Sequence, residues 1–292
     1  MTAPLAFQGA VAFSGEPGSF AEDAVLRAFG EAERVGVPGF PAVFEAVTGG
    51  AAAVGVVPIE NVVAGTIRET LDLLLANDLV IVGEVVVPVR LCLAALPGQR
   101  IEDIERVSSH VQALEQASDF LRSRPWTLVS TYNTAGAGKD IVERAERGSA
   151  AVLSPRAAAL FGLEVLAEDI ASDPLNRTRF WLVARPGTAV PAAGGPDGAT
   201  DVTAANGHRT TVVFGVRNEP GTLLAALHAF ADRGVNLSKL ESRPSRERAW
   251  EYVFWADLDG SVDDPSCAAA LADLGTQATL VRVLGSYRRA AD

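Results

Sequence analysis

A stretch with almost no large apolar residue divides this chain into two parts. From Pro186 to His208 the sequence is rich in Gly, Ala, Pro and Thr, which is typical of a flexible linker. With 187–208 as the linker, the segments 8–186 and 209–289 each have the size of an ordinary domain. We therefore expect one domain on each side of the linker.

Charge and hydropathy argue against several classes of protein. The net charge of -11 argues against a nucleic-acid binder, which needs a basic surface to neutralise phosphates. The most apolar stretch, Leu71 to Leu96, is interrupted by polar and charged residues, so it predicts a helix followed by strands and not a membrane span. Residues 1–9 lack a secretory pattern, and the two cysteines have no metal-ligand spacing. We expect a cytoplasmic protein with no metal and no cofactor.

Strands and helices alternate along the first segment. The short apolar runs Val11–Phe13 and Ala53–Val57 predict buried strands, and Ser19 with Glu22 three residues later predicts the start of a helix. A longer apolar run from Val80 to Ala95 predicts one or two strands that connect two lobes. This alternation predicts an α/β fold with a largely parallel sheet and helices on its faces.

The second segment has the order strand, helix, strand, strand, helix, strand. Apolar positions at helical spacing follow Pro220-Gly221, and two β-rich runs, Val235–Glu241 and Trp250–Leu258, flank a polar turn. Trp250, Tyr252, Phe254 and Ala256 are expected on one strand face. The order predicts a ferredoxin-like βαββαβ domain.

Polar side chains collect where the predicted strands of the first segment end. The five clusters are Ser14 with Gly15–Gly18, Glu60 with Asn61, Ser108–His110, Ser130–Thr134, and Asn176–Thr178. Each cluster alone is ordinary capping and turn chemistry. Ligands of open α/β sheets bind at the carboxyl ends of strands, so we expect the five clusters to meet at one site. Hydroxyls, amides and helix N-termini suit a ligand with carboxylate groups.

Seven motifs follow one another in a recognisable order. They are GEPGSFAEDA from Gly15, VPIENVVAG from Val57, SHVQALEQ from Ser109, STYNTAGAG from Ser130, NRTRFWLV from Asn176, PGTLLAALHAF from Pro220 and ESRP from Glu241. With them, nearly the whole chain resembles the prephenate dehydratases that carry a C-terminal ACT domain. The resemblance implies a two-lobed catalytic domain like that of periplasmic binding proteins, joined to a ferredoxin-like ACT domain. The chain departs from the family pattern at Val62, Val111 and Thr222, where Ser, Pro and Ala are usual.

The resemblance implies that the protein removes carbon dioxide and water from prephenate and forms phenylpyruvate. It assigns the catalytic role to Thr178, either as proton donor or as the group that orients the leaving hydroxyl. The substrate-binding residues that we predict are Asn61, Ser109, Ser130, Thr131, Asn176, Arg179 and Phe180. In an extended segment Thr178 and Phe180 share a face, whereas Arg179 points away and supports the site from behind.

The resemblance also implies regulation by L-phenylalanine. ACT domains pair side by side and bind amino acids between them, so we expect a homo-oligomer, dimer or tetramer. The predicted effector residues are Gly221, Thr222, Leu223, Asn236, Leu237, Glu241, Ser242, Arg243 and Pro244. Two alternatives stay open: an arogenate dehydratase, which performs the same elimination on the amino-acid analogue, and a solute-binding or sensing protein without catalysis.

Overall fold

The computed structural model of the chain describes Phe7 and residues 9–190, 207–245 and 252–290. The predicted linker falls largely outside these residues, at 191–206, and Trp250 lies outside them as well. Three β-sheets organise the described part of the chain, two of them in residues 9–190 and the third after residue 207.

The first sheet has six strands, and their order differs from that of the sequence. The strands are β1 (Val11–Ser14), β2 (Arg34–Val37), β3 (Val54–Asn61), β4 (Gly65–Thr66), β5 (Val80–Pro88) and β11 (Arg177–Ala184). β1 is parallel to its neighbours β2 and β3, whereas β11 is antiparallel to its neighbours β3 and β5. The prediction of a largely parallel sheet is therefore wrong here. The chain builds a second lobe after β5 and re-enters the first sheet from the opposite end.

Three helices cover the first sheet: α1 (Phe20–Phe29), α2 (Gly39–Thr48) and α3 (Arg68–Ala76). α1 begins at the predicted cap, where the Glu22 N–H donates to Ser19 Oγ at 3.3 Å. The Glu22 carboxylate accepts from the Gly18 N–H at 2.8 Å, one residue earlier than a capping box requires. We call this sheet with its three helices the first lobe.

The second lobe is built on a five-stranded sheet. Its strands are β6 (Cys92–Ala95), β7 (Arg106–Ser109), β8 (Thr127–Ser130), β9 (Ser149–Leu153) and β10 (Glu164–Ala167), and its helices are α4 (Val111–Gln116), α5 (Ser118–Leu121), α6 (Thr134–Glu143) and α7 (Pro155–Leu160). Two extended connections join the lobes, and the Val89 N–H donates to Asn176 O at 2.9 Å where they run side by side. The predicted two-lobed α/β architecture is confirmed.

The third sheet is antiparallel and has the order β13-β14-β12-β15. Its elements are β12 (His208–Gly215), α8 (Thr222–Ala231), β13 (Leu237–Pro244), β14 (Tyr252–Asp259), α9 (Pro265–Gln277) and β15 (Leu280–Arg288), which is the predicted βαββαβ order. Phe254 and Ala256 share the face that packs on α8 and α9, as the alternation predicts. Within the described parts of the chain, the helices are too short or too polar to cross a membrane.

The third sheet shares a hydrophobic core with the first lobe. Trp181 of β11 stacks on Trp255 of β14 with ring centroids 6.1 Å apart, and the Trp181 indole N–H donates to Tyr287 Oη at 3.2 Å. β15 lies so close to β5 that a Cβ atom at Gly285 would overlap the carbonyl oxygen of Ile81. One core therefore extends from the first lobe into the third sheet.

Candidate active site

Two residues paired across β3 and β11 form the centre of the site. Asn61 lies opposite Thr178, and its Nδ2 donates to Thr178 Oγ1 at 3.0 Å and to Asn176 Oδ1 at 2.8 Å. The Asn61 Oδ1 accepts from the N–H groups of Val63 at 3.0 Å and Ala64 at 2.9 Å, which fixes the amide orientation. Since Thr178 Oγ1 is the acceptor in its bond with Asn61, its own proton remains available to a ligand.

The second lobe reaches this centre through Gln116, at the end of α4. Gln116 Nε2 lies 3.5 Å from Asn61 Oδ1, so one amide of each lobe meets across the cleft. Gln116 is not among the residues predicted from the sequence, although it is the last residue of the SHVQALEQ motif. The signal that identifies it is its place at the C-terminal end of a short helix that starts at the predicted cluster Ser108–His110.

Loops at the strand ends of both lobes also meet. Glu16, which follows β1, accepts from Lys139 Nζ at 3.0 Å and from Tyr132 Oη at 3.3 Å. Gly15 has φ +105°, and a Cβ atom there would lie 2.7 Å from Asn133 Nδ2. The clusters after β1 and β8 therefore contact each other, and their meeting with the clusters after β3 and β7 at one site stays a prediction.

The N-terminus of α6 carries the cluster that follows β8. Asn133 caps it by accepting from the N–H groups of Ala135 at 2.9 Å and Gly136 at 3.1 Å. Ser130 is exposed, and the Thr131 hydroxyl donates to Asn133 O at 3.2 Å. A helix N-terminus flanked by hydroxyls favours the binding of a carboxylate.

Two of the predicted substrate contacts lie behind the cleft surface. Ser109 is fully buried, and its hydroxyl donates to Val152 O at 2.6 Å. Phe180 is buried in the core beside α1. Contact of either side chain with a substrate stays a prediction, and for Ser109 it requires the exchange of an existing hydrogen bond.

Arg179 points to the opposite face of β11 from Thr178, as the alternation predicts. Its Nη2 lies 2.7 Å from Glu60 Oε2, and its Nη1 lies 3.0 Å from Asp257 Oδ2 and 3.4 Å from Glu84 Oε2. Burial lowers the pKa of Arg179, but the surrounding carboxylates outweigh it, so the pKa is raised and the guanidinium stays charged. Arg179 therefore joins the first lobe to the third sheet behind the site.

The predicted effector residues lie at the start of α8 and along β13. Gly221, with φ +86°, precedes α8, and the Thr222 hydroxyl donates to Glu219 O at 2.9 Å. Asn236 Nδ2 donates to Asp259 Oδ2 at 2.6 Å just before β13. Leu223 and Leu237 are partly buried against the core under the helices.

The Glu241–Pro244 segment has two different faces. Ser242 and Pro244 are exposed, whereas Glu241 pairs with Lys239 of the same strand at 3.8 Å and Arg243 turns towards the first lobe. Arg243 Nη2 lies 2.9 Å from an oxygen of Asp72 in α3, which means that in this chain Arg243 holds the third sheet on the first lobe. An effector role for Arg243 stays a prediction.

Comparisons with known proteins follow this architecture. Residues 11–188 match the family model of prephenate dehydratase, and residues 210–276 match that of the ACT domain. A relative from Arabidopsis thaliana, arogenate dehydratase/prephenate dehydratase 1, chloroplastic, is 37% identical over 291 residues, which cover 95% of this chain and 71% of the relative.

Two solved structures share the complete fold. The prephenate dehydratase of Arthrobacter aurescens in complex with L-Phe has a TM-score of 0.83 and 36% identity, covering 96% of this chain and 90% of that one. GqqA, described as a novel type of quorum quenching acylase, has a TM-score of 0.84 and 30% identity, covering 96% and 98%. The chain thus belongs to the prephenate dehydratase family of decarboxylating lyases and carries a C-terminal ACT domain.

Proposed function

We propose that this protein converts prephenate to phenylpyruvate in the biosynthesis of L-phenylalanine, with 8–186 as the catalytic domain and 209–289 as the regulatory domain. Family membership supports the class of reaction. The observation that carries the assignment of the site is the hydrogen bond from Asn61 Nδ2 to Thr178 Oγ1, because it leaves the Thr178 proton for the substrate. The two free cysteines, both buried, are compatible with a cytoplasmic location.

The reaction needs little chemistry from the protein beyond positioning. The bond from the ring to its carboxylate breaks and releases carbon dioxide, its electron pair enters the ring, and the carbon–oxygen bond of the ring hydroxyl breaks. The departing hydroxide takes up the proton of the Thr178 O–H, which solvent later replaces, and leaves as water while the ring becomes aromatic. In our proposal the Thr178 O–H donates a hydrogen bond to the leaving oxygen, and the Asn61 amide stabilises the charge that develops on Thr178 Oγ1.

Replacing Thr178 tests this role. A positioned proton donor contributes about 10²–10⁴-fold, so we expect Thr178→Ala to lower kcat by about that factor with little change in KM. Thr178→Ser keeps the hydroxyl and serves as the matched control, with activity close to that of the wild type. Phenylpyruvate formation and calorimetric binding of prephenate are the measurements. A Thr178→Ala variant with full turnover contradicts the assignment, and a wild-type protein that binds prephenate without turnover is the non-catalytic binder.

Arogenate is the second candidate substrate, because it undergoes the same elimination and a relative is named for both activities. The two substrates differ only in the side chain, which carries a keto group in prephenate and an amino group in arogenate. Parallel assays of phenylpyruvate from prephenate and of phenylalanine from arogenate give two values of kcat/KM. We expect the value for prephenate to be the larger, and the reverse order makes the protein an arogenate dehydratase.

We further propose that L-phenylalanine binds the third sheet and inhibits turnover. In the described sheet β13 is an edge strand with Leu240 and Ser242 exposed, which supports side-by-side pairing with the third sheet of a second copy. An amino acid bound between two such sheets contacts the start of α8 and β13 at once. Calorimetry with phenylalanine, together with sedimentation, measures binding and oligomeric state, and absence of binding contradicts this part of the proposal.

A further inference from the structure

The residues that carry Asn61 form a small hairpin with little apolar packing. β3 and β4 pair Glu60 with Thr66 and Asn61 with Gly65. At the tip between the two strands, Val62 is 62% exposed and Val63 is 48% exposed. Since hydrophobic contacts do not fix this tip, polar contacts decide where the hairpin holds Asn61.

One cation from the third sheet bridges both strands of this hairpin. Lys239 of β13 places its Nζ 3.0 Å from Thr66 Oγ1 and 3.3 Å from Glu60 Oε1. The Lys239 side chain is only 13% exposed. Hydrogen bonds to a charged group contribute more than those between neutral groups, and they do so most where water is excluded. Lys239 therefore clamps the base of the hairpin.

The same clamp extends to Thr178 through a shared carboxylate. Glu60 Oε2 accepts from Arg179 Nη2 at 2.7 Å, and Arg179 directly follows Thr178 in β11. Glu60 itself directly precedes Asn61 in β3. The Glu60 carboxylate thus connects Lys239 to the residues that adjoin Asn61 in β3 and Thr178 in β11.

Among the described residues, open space and not side-chain packing lies beside these contacts of Lys239. A cavity of about 320 Å³ lies between the first lobe and the third sheet, and Glu60, Asn61, Arg179 and Lys239 are among its lining residues. Loss of the lysine charge would leave the hairpin next to open space. The cavity also leaves room for a guanidinium at position 239.

We propose that Lys239 is a positioning residue of the active site. From the third sheet, Lys239 binds Glu60 and Thr66, and these two contacts hold Asn61 in its place opposite Thr178. Because β13 also carries Glu241–Pro244, a ligand that shifts this strand shifts Asn61 as well. That consequence rests on the proposed regulation by phenylalanine, whereas the positioning role does not.

Hydrogen exchange of the full-length protein tests the clamp without a substrate. Two amides report on the hairpin: the Ile67 N–H donates to Ile59 O at 2.8 Å, and the Val62 N–H donates to Arg177 O at 3.0 Å. In Lys239→Met we expect both to exchange about tenfold faster, because a hydrogen bond to a charge that opposes local opening is lost. We also expect kcat/KM to fall about tenfold, mainly through kcat. Lys239→Arg should restore both quantities.

Arg282→Met is the matched control. Arg282 is also a cation of the third sheet that binds the first lobe, and its Nη2 donates to Asn77 O at 3.0 Å, away from the hairpin. We expect this variant to leave hairpin exchange and turnover unchanged. If it accelerates hairpin exchange as much as Lys239→Met does, general docking of the sheet is responsible and the proposal is wrong. Unchanged exchange in Lys239→Met overturns it as well.

Two further variants keep the test decisive. The double variant Glu60→Gln with Lys239→Met should be no worse than the more impaired single variant, because each change removes the ion pair between the two side chains. If Lys239→Met does not fold, Thr66→Val removes one acceptor of the clamp, and unchanged exchange at Ile67 in that variant contradicts the proposal. Faster exchange without any turnover of prephenate supports the clamp and refutes the proposed function, so the two failures are distinguishable.

Discussion

Asn61 shows how one buried amide can organise the candidate site. The residue is 3% exposed, so the donors and the acceptor of its side chain must find partners within the protein. The donors bind Asn176, Thr178 and the Arg177 carbonyl, while the acceptor binds the backbone of its own turn. Asn176 Nδ2 is buried and has no partner among the described residues. An unpaired buried donor costs roughly 1–3 kcal/mol, which an acceptor on a bound ligand offsets.

Glu60 gives the free energy of unfolding a predictable dependence on pH. Burial raises the pKa of Glu60, but the charges of Lys239 and Arg179 and their hydrogen bonds outweigh it, so the pKa lies below its usual value of 4.5. Such a group stabilises the folded state fully above pH 4.5, and this contribution is lost as the pH falls through the lowered pKa of the folded state. We expect the free energy of unfolding of the wild type to fall more steeply below about pH 4.5 than that of Glu60→Gln.

Urea unfolding at a series of pH values from about 3 to 6 measures this difference. Glu60→Gln removes the titrating group but keeps an acceptor for Lys239 and Arg179. The two proteins should show parallel profiles at the upper end of the range, where the carboxylate is fully ionised. Parallel profiles over the whole range would show that Glu60 has the same pKa in the folded and unfolded states.

At the scale of elements, the first lobe and the third sheet approach each other closely at Gly285. A Cβ atom there would overlap the Ile81 carbonyl of β5. Overpacking of a close contact costs typically 1–3 kcal/mol, so we expect Gly285→Ala to lower the free energy of unfolding by about that amount. Gly275→Ala in α9 is the control, because no atom lies within 4 Å of the added Cβ. Alanine in a helix interior should stabilise that variant by roughly 0.5–1 kcal/mol.

Elements with strong local patterns could be predicted from the sequence. The capped start of α1, the strands within Val80–Ala95 and the βαββαβ order of the third sheet all follow from periodicity and capping residues. β2 and α2 lack such signals: β2 is only partly buried, and α2 begins at Gly39 without a side-chain cap. The direction of β11 depends on the path of the chain through the second lobe, which local patterns do not contain.

The same distinction between local patterns and contacts of distant segments applies to the candidate site. The clusters at strand ends are local features, so the sequence predicts their meeting at one cleft. The burial of Ser109 and the contacts of Gln116 and Lys239 are set by packing between distant parts of the chain. Lys239 and Thr66, for example, are separated by 173 positions in the sequence. The roles of the individual site residues remain predictions until variants are measured.

At the scale of the whole molecule, a buried group of charges joins the first lobe to the third sheet. Asp257 of β14 is 2% exposed, and it accepts from Arg179 at 3.0 Å and from the Thr211 hydroxyl at 2.7 Å. Arg209 Nη1 lies 2.7 Å from Glu84 Oε2, which belongs to β5 of the first lobe. Charges buried in this way are tolerated only while each keeps its partners.

In the wild type the first lobe and the third sheet should therefore unfold in one transition. In Asp257→Ala we expect them to unfold in two separate transitions. Removing one partner from a buried charge group costs about 3–5 kcal/mol, because the opposite charges stay buried. Trp181 and Trp255 stack where the two parts meet, so tryptophan fluorescence in a background with Trp126→Phe and Trp250→Phe reports on their separation, whereas far-ultraviolet circular dichroism reports on all elements. In the wild type we expect the two urea transitions to coincide, and in Asp257→Ala we expect the fluorescence transition to come first.

Asp273→Ala provides the matched control, since it removes the same side chain within the same domain. Asp273 pairs with Arg233 at 2.8 Å between α9 and α8, but both side chains are nearly half exposed. An exposed ion pair contributes about 0–1 kcal/mol, so this variant should unfold like the wild type by both probes. Coincident transitions in Asp257→Ala would mean that the shared apolar core around Trp181 and Trp255 holds the two parts together without the buried charges. A shift of equal size in Asp273→Ala would mean that loss of a carboxylate anywhere in the third sheet suffices.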